Sequence, residues 1–255
     1  MDSAMNSEPK NHKTEKRKKA KLFSFRYFLF DFVKLTAALP TLIALRPRWH
    51  YENKEAHKKL RGAAMTVANH QSYLDPINML LAIWYRRLHM VATENLFASR
   101  LGNWFFRRML CIPVDKENFN IQTFREVGKR LGEGGVVTIF PEGELNAEKE
   151  TIKTFRAGVV LMAMKNRVPI VPVYIKRNRH WYNRLHIVIG ESVRMEEYCG
   201  QGAALADVER AAEVLHAREL ALKLYLETKL AKKRKGEKNV RKVHGRTDVR
   251  EDQGV

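Results

Sequence analysis

Apolar residues in this chain come in short blocks separated by polar stretches, and the period inside the blocks changes along the sequence. Continuous apolar runs near residues 63–68, 88–92, 110–114, 136–140, 169–175 and 185–190 are bounded by glycine, proline, asparagine or charged residues. Such runs read as short strands covered on both faces. Stretches near 76–86, 118–132 and 155–166 lie between them and read as helices. The alternation predicts an α/β fold, a mostly buried mixed sheet flanked by helices. From Ala203 to Lys235, Leu205, Val208, Ala212, Leu215, Leu220, Leu224 and Leu230 recur among Glu, Arg and Lys, as in an amphipathic helix packed on the domain. Residues 236–255 have too little apolar content to pack and are expected to be disordered.

Near the N-terminus an aromatic-rich stretch from Leu22 to Leu45 is long enough to span a bilayer, but Arg26, Asp31 and Lys34 interrupt it and Pro40 would kink it. Charged side chains at bilayer depth cost about 2.5–3.5 kcal/mol each, so spanning is disfavoured. An amphipathic element lying in the interface, on the cytoplasmic face, fits better. A helix packed on the core would show a similar stripe. The chain thus divides into a basic arm (1–21), a membrane-interface helical segment (22–48), a globular domain (49–235) and a basic tail (236–255).

Charge sharpens this picture. The net charge is +19, of which residues 10–21 supply +6 and residues 223–246 supply +8, leaving +5 for everything else. Basicity that is terminal suits arms on an anionic membrane surface, where each Lys or Arg contributes about 1 kcal/mol. It is poorly distributed for a groove-facing nucleic-acid domain, and no nucleic-acid motif is present, so no nucleic-acid partner is expected. Two cysteines in 255 residues argue against a disulfide framework. No run of histidines and acids has the spacing of a metal site.

The candidate chemistry lies at the end of the first apolar run, in Asn69-His70-Gln71-Ser72-Tyr73-Leu74-Asp75-Pro76. His70 falls at a strand exit, while Asp75 and Pro76 look like the N-cap and first position of a helix. A neutral imidazole accepts a hydroxyl proton when a second group holds its other ring nitrogen as the donor. Asp75 is placed to be that group, or simply a cap. Ser72 lacks a nucleophile elbow, and Cys111, inside an apolar strand, reads as an inert buried thiol.

Three further blocks follow: Cys111-Ile112-Pro113-Val114-Asp115-Lys116, the glycine-bounded strand 134–139 running into Phe140-Pro141-Glu142-Gly143-Glu144, and Val168-Pro169-Ile170-Val171-Pro172-Val173-Tyr174. In order and spacing, across roughly residues 62–175, the four blocks resemble the glycerolipid acyltransferase family that includes the 1-acylglycerol-3-phosphate acyltransferases. Its signature N-H-x-x-x-x-D is matched at Asn69, His70 and Asp75. The resemblance implies His70 as general base with Asp75 orienting it, and no covalent intermediate. It implies a substrate site that includes the signature residue Asn69 and, in the Pro-Glu-Gly turn, Glu142 and Gly143. The donor would be an acyl thioester, acyl-CoA or acyl-carrier protein, with no cofactor, and the acceptor a lysophospholipid, lysophosphatidic acid foremost. Family members carry an N-terminal membrane-embedded helical pair, which segment 22–48 looks like.

Two departures bear on the acceptor. Where the family shows Glu-Gly-Thr-Arg this chain has Glu142-Gly143-Glu144-Leu145, and Asp115-Lys116 replaces Asp-Arg. Lys116, Lys153 and Arg156 are the available substitutes for a phosphate ligand. Backbone amides near Gly143 are candidate oxyanion donors, an ordinary turn being the other reading. Another lysolipid acceptor, lipid hydrolysis by the same His and Asp, and non-enzymatic binding of an anionic membrane or nucleic acid are the alternatives.

Overall fold

The computed structural model describes residues 27–115, 121–146, 151–176, 183–199 and 204–251, with side chains of the last helix described to Lys235. Seven strands form one sheet: β1 (Arg48–Tyr51), β2 (Ala64–Ala68), β3 (Leu88–Thr93), β4 (Ile112–Val114), β5 (Val136–Ile139), β6 (Ile170–Lys176) and β7 (His186–Ile189). Their order is β1-β7-β6-β2-β5-β3-β4. Every neighbouring pair is parallel except β6 with β7, which makes the sheet mixed as expected. The helices are α1 (Phe28–Leu45), α2 (Asp75–Ala82), α3 (Arg100–Arg108), α4 (Ile121–Gly132), α5 (Gly158–Asn166) and α6 (Leu205–Glu251).

The central strands β2 and β5 are buried along their whole length, which is why their sequences are continuous apolar runs. Their side chains alternate between two cores. Met65 and Val67 of β2, with Val137 and Ile139 of β5, meet residues of α4, α5 and α6. Ala68, Val136, Val171 and Val173 point the other way, onto Met79, Ala82 and Ile83 around α2. Between β2 and β5 the Thr66 and Thr138 hydroxyls pair at 2.8 Å and satisfy each other inside the sheet.

The six expected strands and three expected helices are present within a few residues. β1 and α3 are additional. β1 carries no apolar run, because Arg-Trp-His-Tyr is an edge strand paired only with β7. It starts at Arg48, on the expected boundary of the domain. α3 has no buried residue and reads Arg-Leu-Gly-Asn-Trp-Phe-Phe-Arg-Arg, too charged to register as a core helix. Ser99 caps it by accepting the Gly102 N–H at 2.9 Å. α6 extends to Glu251, past the expected end of order near residue 235; no proline interrupts this stretch, and Lys, Arg and Glu are good helix formers. The arm at 1–21 and Lys116 lie outside the described residues.

α1 is the one helix among the described residues long and apolar enough to cross a bilayer, by length and composition. Its charged face is turned onto the body. Arg87 grips the Asp31 carboxylate through Nε at 3.0 Å and Nη2 at 2.6 Å. Lys34 donates to the carbonyls of Trp84 and Arg86, and Phe30 is buried beside them. Phe28, Phe32, Leu35, Leu39 and Ile43 form the opposite, exposed stripe.

Candidate active site

The parallel strands β2 and β5 are neighbours, so the segments that leave their C-terminal ends emerge on the same edge of the sheet. The connection after β2 leads through α2 to β3 on one side, and the one after β5 leads through α5 to β6 on the other. A crevice outside the carboxyl ends of strands, where connections diverge, is where open α/β sheets hold their ligands. His70 follows β2 at this edge and Glu142 follows β5.

His70 Nδ1 lies 3.3 Å from Asp75 Oδ2, and the two side chains are 21% and 3% exposed. The carboxylate is therefore internal while the ring keeps an edge toward solvent. Asp75 does not cap α2 in the expected way. Leu74 occupies the cap position without a side-chain bond to the helix, and Asp75 is the first helical residue. Its Oδ2 instead turns back and accepts the N–H groups of Gln71 and Ser72, each at 2.7 Å. Asn78, one turn on, donates to Oδ1 at 3.3 Å. These donors hold a charged acceptor beside the imidazole. The opposite face of the ring stacks on Phe140, centroids 4.4 Å apart at 23°.

Glu142 fastens the two strand exits together. Its Oε1 accepts the His70 N–H at 3.0 Å and its Oε2 the Lys153 N–H at 3.2 Å, and the Asn146 N–H returns to the His70 carbonyl at 2.7 Å. Burial raises the Glu142 carboxyl above the usual carboxylate range, opposed by hydrogen bonds from His70, Lys153 and Asn146. Asn69 is likewise internal: its amide donates to the Ile175 carbonyl at 2.9 Å and accepts the Ile175 N–H at 2.8 Å, bracing β2 against β6. Both residues, expected to bind substrate, are engaged by their own main chain.

Gly143 has a φ of +74° and closes a turn, its N–H donating to the Phe140 carbonyl at 3.1 Å. That N–H is spent within the turn, the ordinary reading of the glycine. A Cβ at Gly143 would stand 2.7 Å from Arg156 Nε and 2.9 Å from its Cζ, so the exposed guanidinium lies across the glycine. The Lys153 ammonium pairs with Glu144, the residue that departs from the family pattern. Of the two cations expected near a phosphate that lie among the described residues, Arg156 is the one set over the Pro-Glu-Gly turn.

The alternative nucleophiles are engaged or suppressed. Ser72 Oγ accepts the Leu74 N–H at 3.2 Å. Burial pushes the Cys111 thiol up to about 12 and raises that of Cys199 as well. Sequence reasoning reads Phe140 as the end of an apolar run and misses it as the partner of the His70 ring, and it misses Asn146, which sits in a loop where neither periodicity nor a motif marks it.

A family model described as Acyltransferase matches residues 48–176. The chain is 27% identical over 198 residues to a 1-acyl-sn-glycerol-3-phosphate acyltransferase of Bacillus subtilis (strain 168), covering 76% of this chain and 95% of that protein. It is 28% identical over 119 residues to the 1-acyl-sn-glycerol-3-phosphate acyltransferase beta of Homo sapiens, covering 46% of this chain and 42% of that one, less than half the length of the human relative. The crystal structure of the 1-acyl-sn-glycerophosphate (LPA) acyltransferase from Thermotoga maritima superposes with a TM-score of 0.57 at 20% identity, over 78% of this chain and 80% of that one. That likeness concerns the fold.

Proposed function

The chain belongs to the acyltransferase family, and on that premise we propose that it moves an acyl chain from an acyl thioester to the free hydroxyl of lysophosphatidic acid, with His70 as general base. The reading is carried by the imidazole held against a buried, hydrogen-bonded carboxylate at a strand exit, with its other edge open. The names of the bacterial and human relatives support the acceptor.

The chemistry follows from the groups present. With Nδ1 donating to Asp75, Nε2 is the acceptor that takes the hydroxyl proton as oxygen attacks the thioester carbonyl. Asp75 stabilises the imidazolium that forms. Collapse of the tetrahedral intermediate expels the thiolate, and the imidazolium returns the proton to sulfur. Acyl-CoA and acyl-carrier protein offer the same thioester. Arg156 supplies a planar fork suited to the acceptor phosphate, and Glu142 with Asn69 hold the loop that carries the base.

The enzyme works at a membrane surface in this reading. α1 spends its charges on the body and leaves the stripe Phe28, Phe32, Leu35, Leu39 and Ile43 exposed, an apolar face suited to the headgroup boundary. Arg87 pairs with Asp31, and the Trp84 and Arg86 carbonyls accept from Lys34, so two of the three charges that disfavour insertion are engaged by the body. The basic arm and the basic end of α6 add attraction to anionic lipid.

A lysolipid with another head group is the second reading, favoured by the Glu144–Lys153 pair and by Leu145 in place of the family arginine. Incubation with a labelled acyl thioester and lysophosphatidic acid separates the possibilities: labelled phosphatidic acid is expected. Free fatty acid alone would instead make the protein a hydrolase, and product only with other lysolipids would move the acceptor.

A further inference from the structure

α6 presents one buried stripe to the domain: Val208, Ala211, Ala212, Leu215, Leu222 and Leu226. Helical spacing places Glu219 on that stripe, between Leu215 and Leu222. Glu219 is wholly inaccessible, and neither of its carboxyl oxygens completes a hydrogen bond among the described residues. An acid at a core position is costly, and a leucine would fill the place without that cost.

What faces Glu219 is the loop that carries the base. The charge that acts on it is the Glu142 carboxylate, and the backbone donor turned toward it is the Asn69 N–H. Three residues earlier on the helix, His216 Nε2 lies 3.1 Å from the Ile152 carbonyl, and the His216 ring meets Phe155 edge-on at 5.2 Å. α6 is thereby seated behind the segment that leads from Glu142 to Arg156. Burial first, and the Glu142 charge second, raise the Glu219 carboxyl well above the usual carboxylate range, so that it is held neutral. Two carboxyl groups share the interior beneath the site: Glu142 clamps the His70 main chain, and Glu219 lies behind it.

We propose that Glu219 is a positioning residue for acyl transfer: buried on the α6 stripe, it backs the Asn69–His70 segment whose main chain Glu142 holds. The inference rests on His70 being the base. It explains why a polar group occupies the α6 stripe at its point of contact with the catalytic loop.

The test compares the full-length protein with Glu219→Gln, which keeps shape and neutrality, and Glu219→Leu, which fills the stripe without a polar group. The Gln variant is expected to keep wild-type kcat. The Leu variant is expected to lose about 10- to 100-fold in kcat at unchanged thioester KM, as small displacements of a catalytic group do, while its Tm stays at or above that of wild type. The pH response gives a second readout. An acid whose folded pKa is raised costs stability progressively as pH climbs from its unfolded value toward its folded one. The wild-type urea midpoint should therefore fall relative to that of the Gln variant as pH rises above the usual carboxylate range.

His70 ring resonances, read by NMR without any acceptor, should shift in the Leu variant and hold in the Gln variant. Wild-type kcat in the Leu variant, impairment of Gln equal to that of Leu, or unmoved His70 resonances would overturn the proposal. Failure of the base assignment shows separately, as near-wild-type turnover in a folded His70→Ala protein.

Discussion

An acid followed by proline at a helix start has two ordinary uses, and at Asp75 direction separates them. A cap points its oxygens forward at the first helical N–H groups; Asp75 points back, at Gln71, Ser72 and the His70 ring. The sequence carries the identity and spacing of His70 and Asp75 but not this direction. Glu142 and Asn69 are legible as motif residues in the same limited sense, since their partners, the His70 N–H and the Ile175 main chain, lie on strands distant in sequence. At Gly143 the residue scale yields a prediction. Because a Cβ there meets Arg156, Gly143→Ala should push the guanidinium off the turn and act like Arg156→Ala. Loss of a charge-assisted hydrogen bond costs about 1.5–3 kcal/mol, so kcat/KM for lysophosphatidic acid should fall about 10- to 100-fold in both variants. Steady-state kinetics with thioester saturating check this, and an unchanged acceptor KM in Arg156→Ala would remove Arg156 from the phosphate site.

At the scale of elements, legibility follows burial. β2, β5 and β6 announce themselves because both faces are covered and nearly every position is apolar. β1 and α3 pass unnoticed because one is an edge strand and the other lies entirely at the surface, so neither imposes a pattern on its residues. α1 is legible as apolar, but its charges are ambiguous until Arg87 and the Trp84 and Arg86 carbonyls are seen to absorb them. Its exposed stripe sets the expectation for membrane binding. Phe32→Ser together with Leu39→Ser removes two exposed side chains, each worth about 1.5–3 kcal/mol on burial, so binding to anionic vesicles should weaken about 100-fold or more. Thermal stability should barely change, since both are already exposed. Co-sedimentation with liposomes measures it, and undiminished binding would contradict the role given to α1.

For the whole molecule, the order β1-β7-β6-β2-β5-β3-β4 brings the end of the first sequence block against the Pro-Glu-Gly turn of the third. β5 inserts beside β2, which brings Glu142 to the His70 N–H across 72 positions of chain. Six of the seven strands and the class are readable from periodicity, whereas this insertion is not, because local pattern contains no information about which parallel strands neighbour each other. The same long-range arrangement seats α6 and Glu219 behind the base. The account depends on His70 removing the acceptor proton, and the rate of labelled acyl transfer by folded His70→Ala tests it most directly. A general base contributes typically 10²–10⁴ in rate, so kcat should fall by about that factor with Tm and circular dichroism unchanged. A His70→Ala protein that transfers within a few-fold of wild type would contradict it.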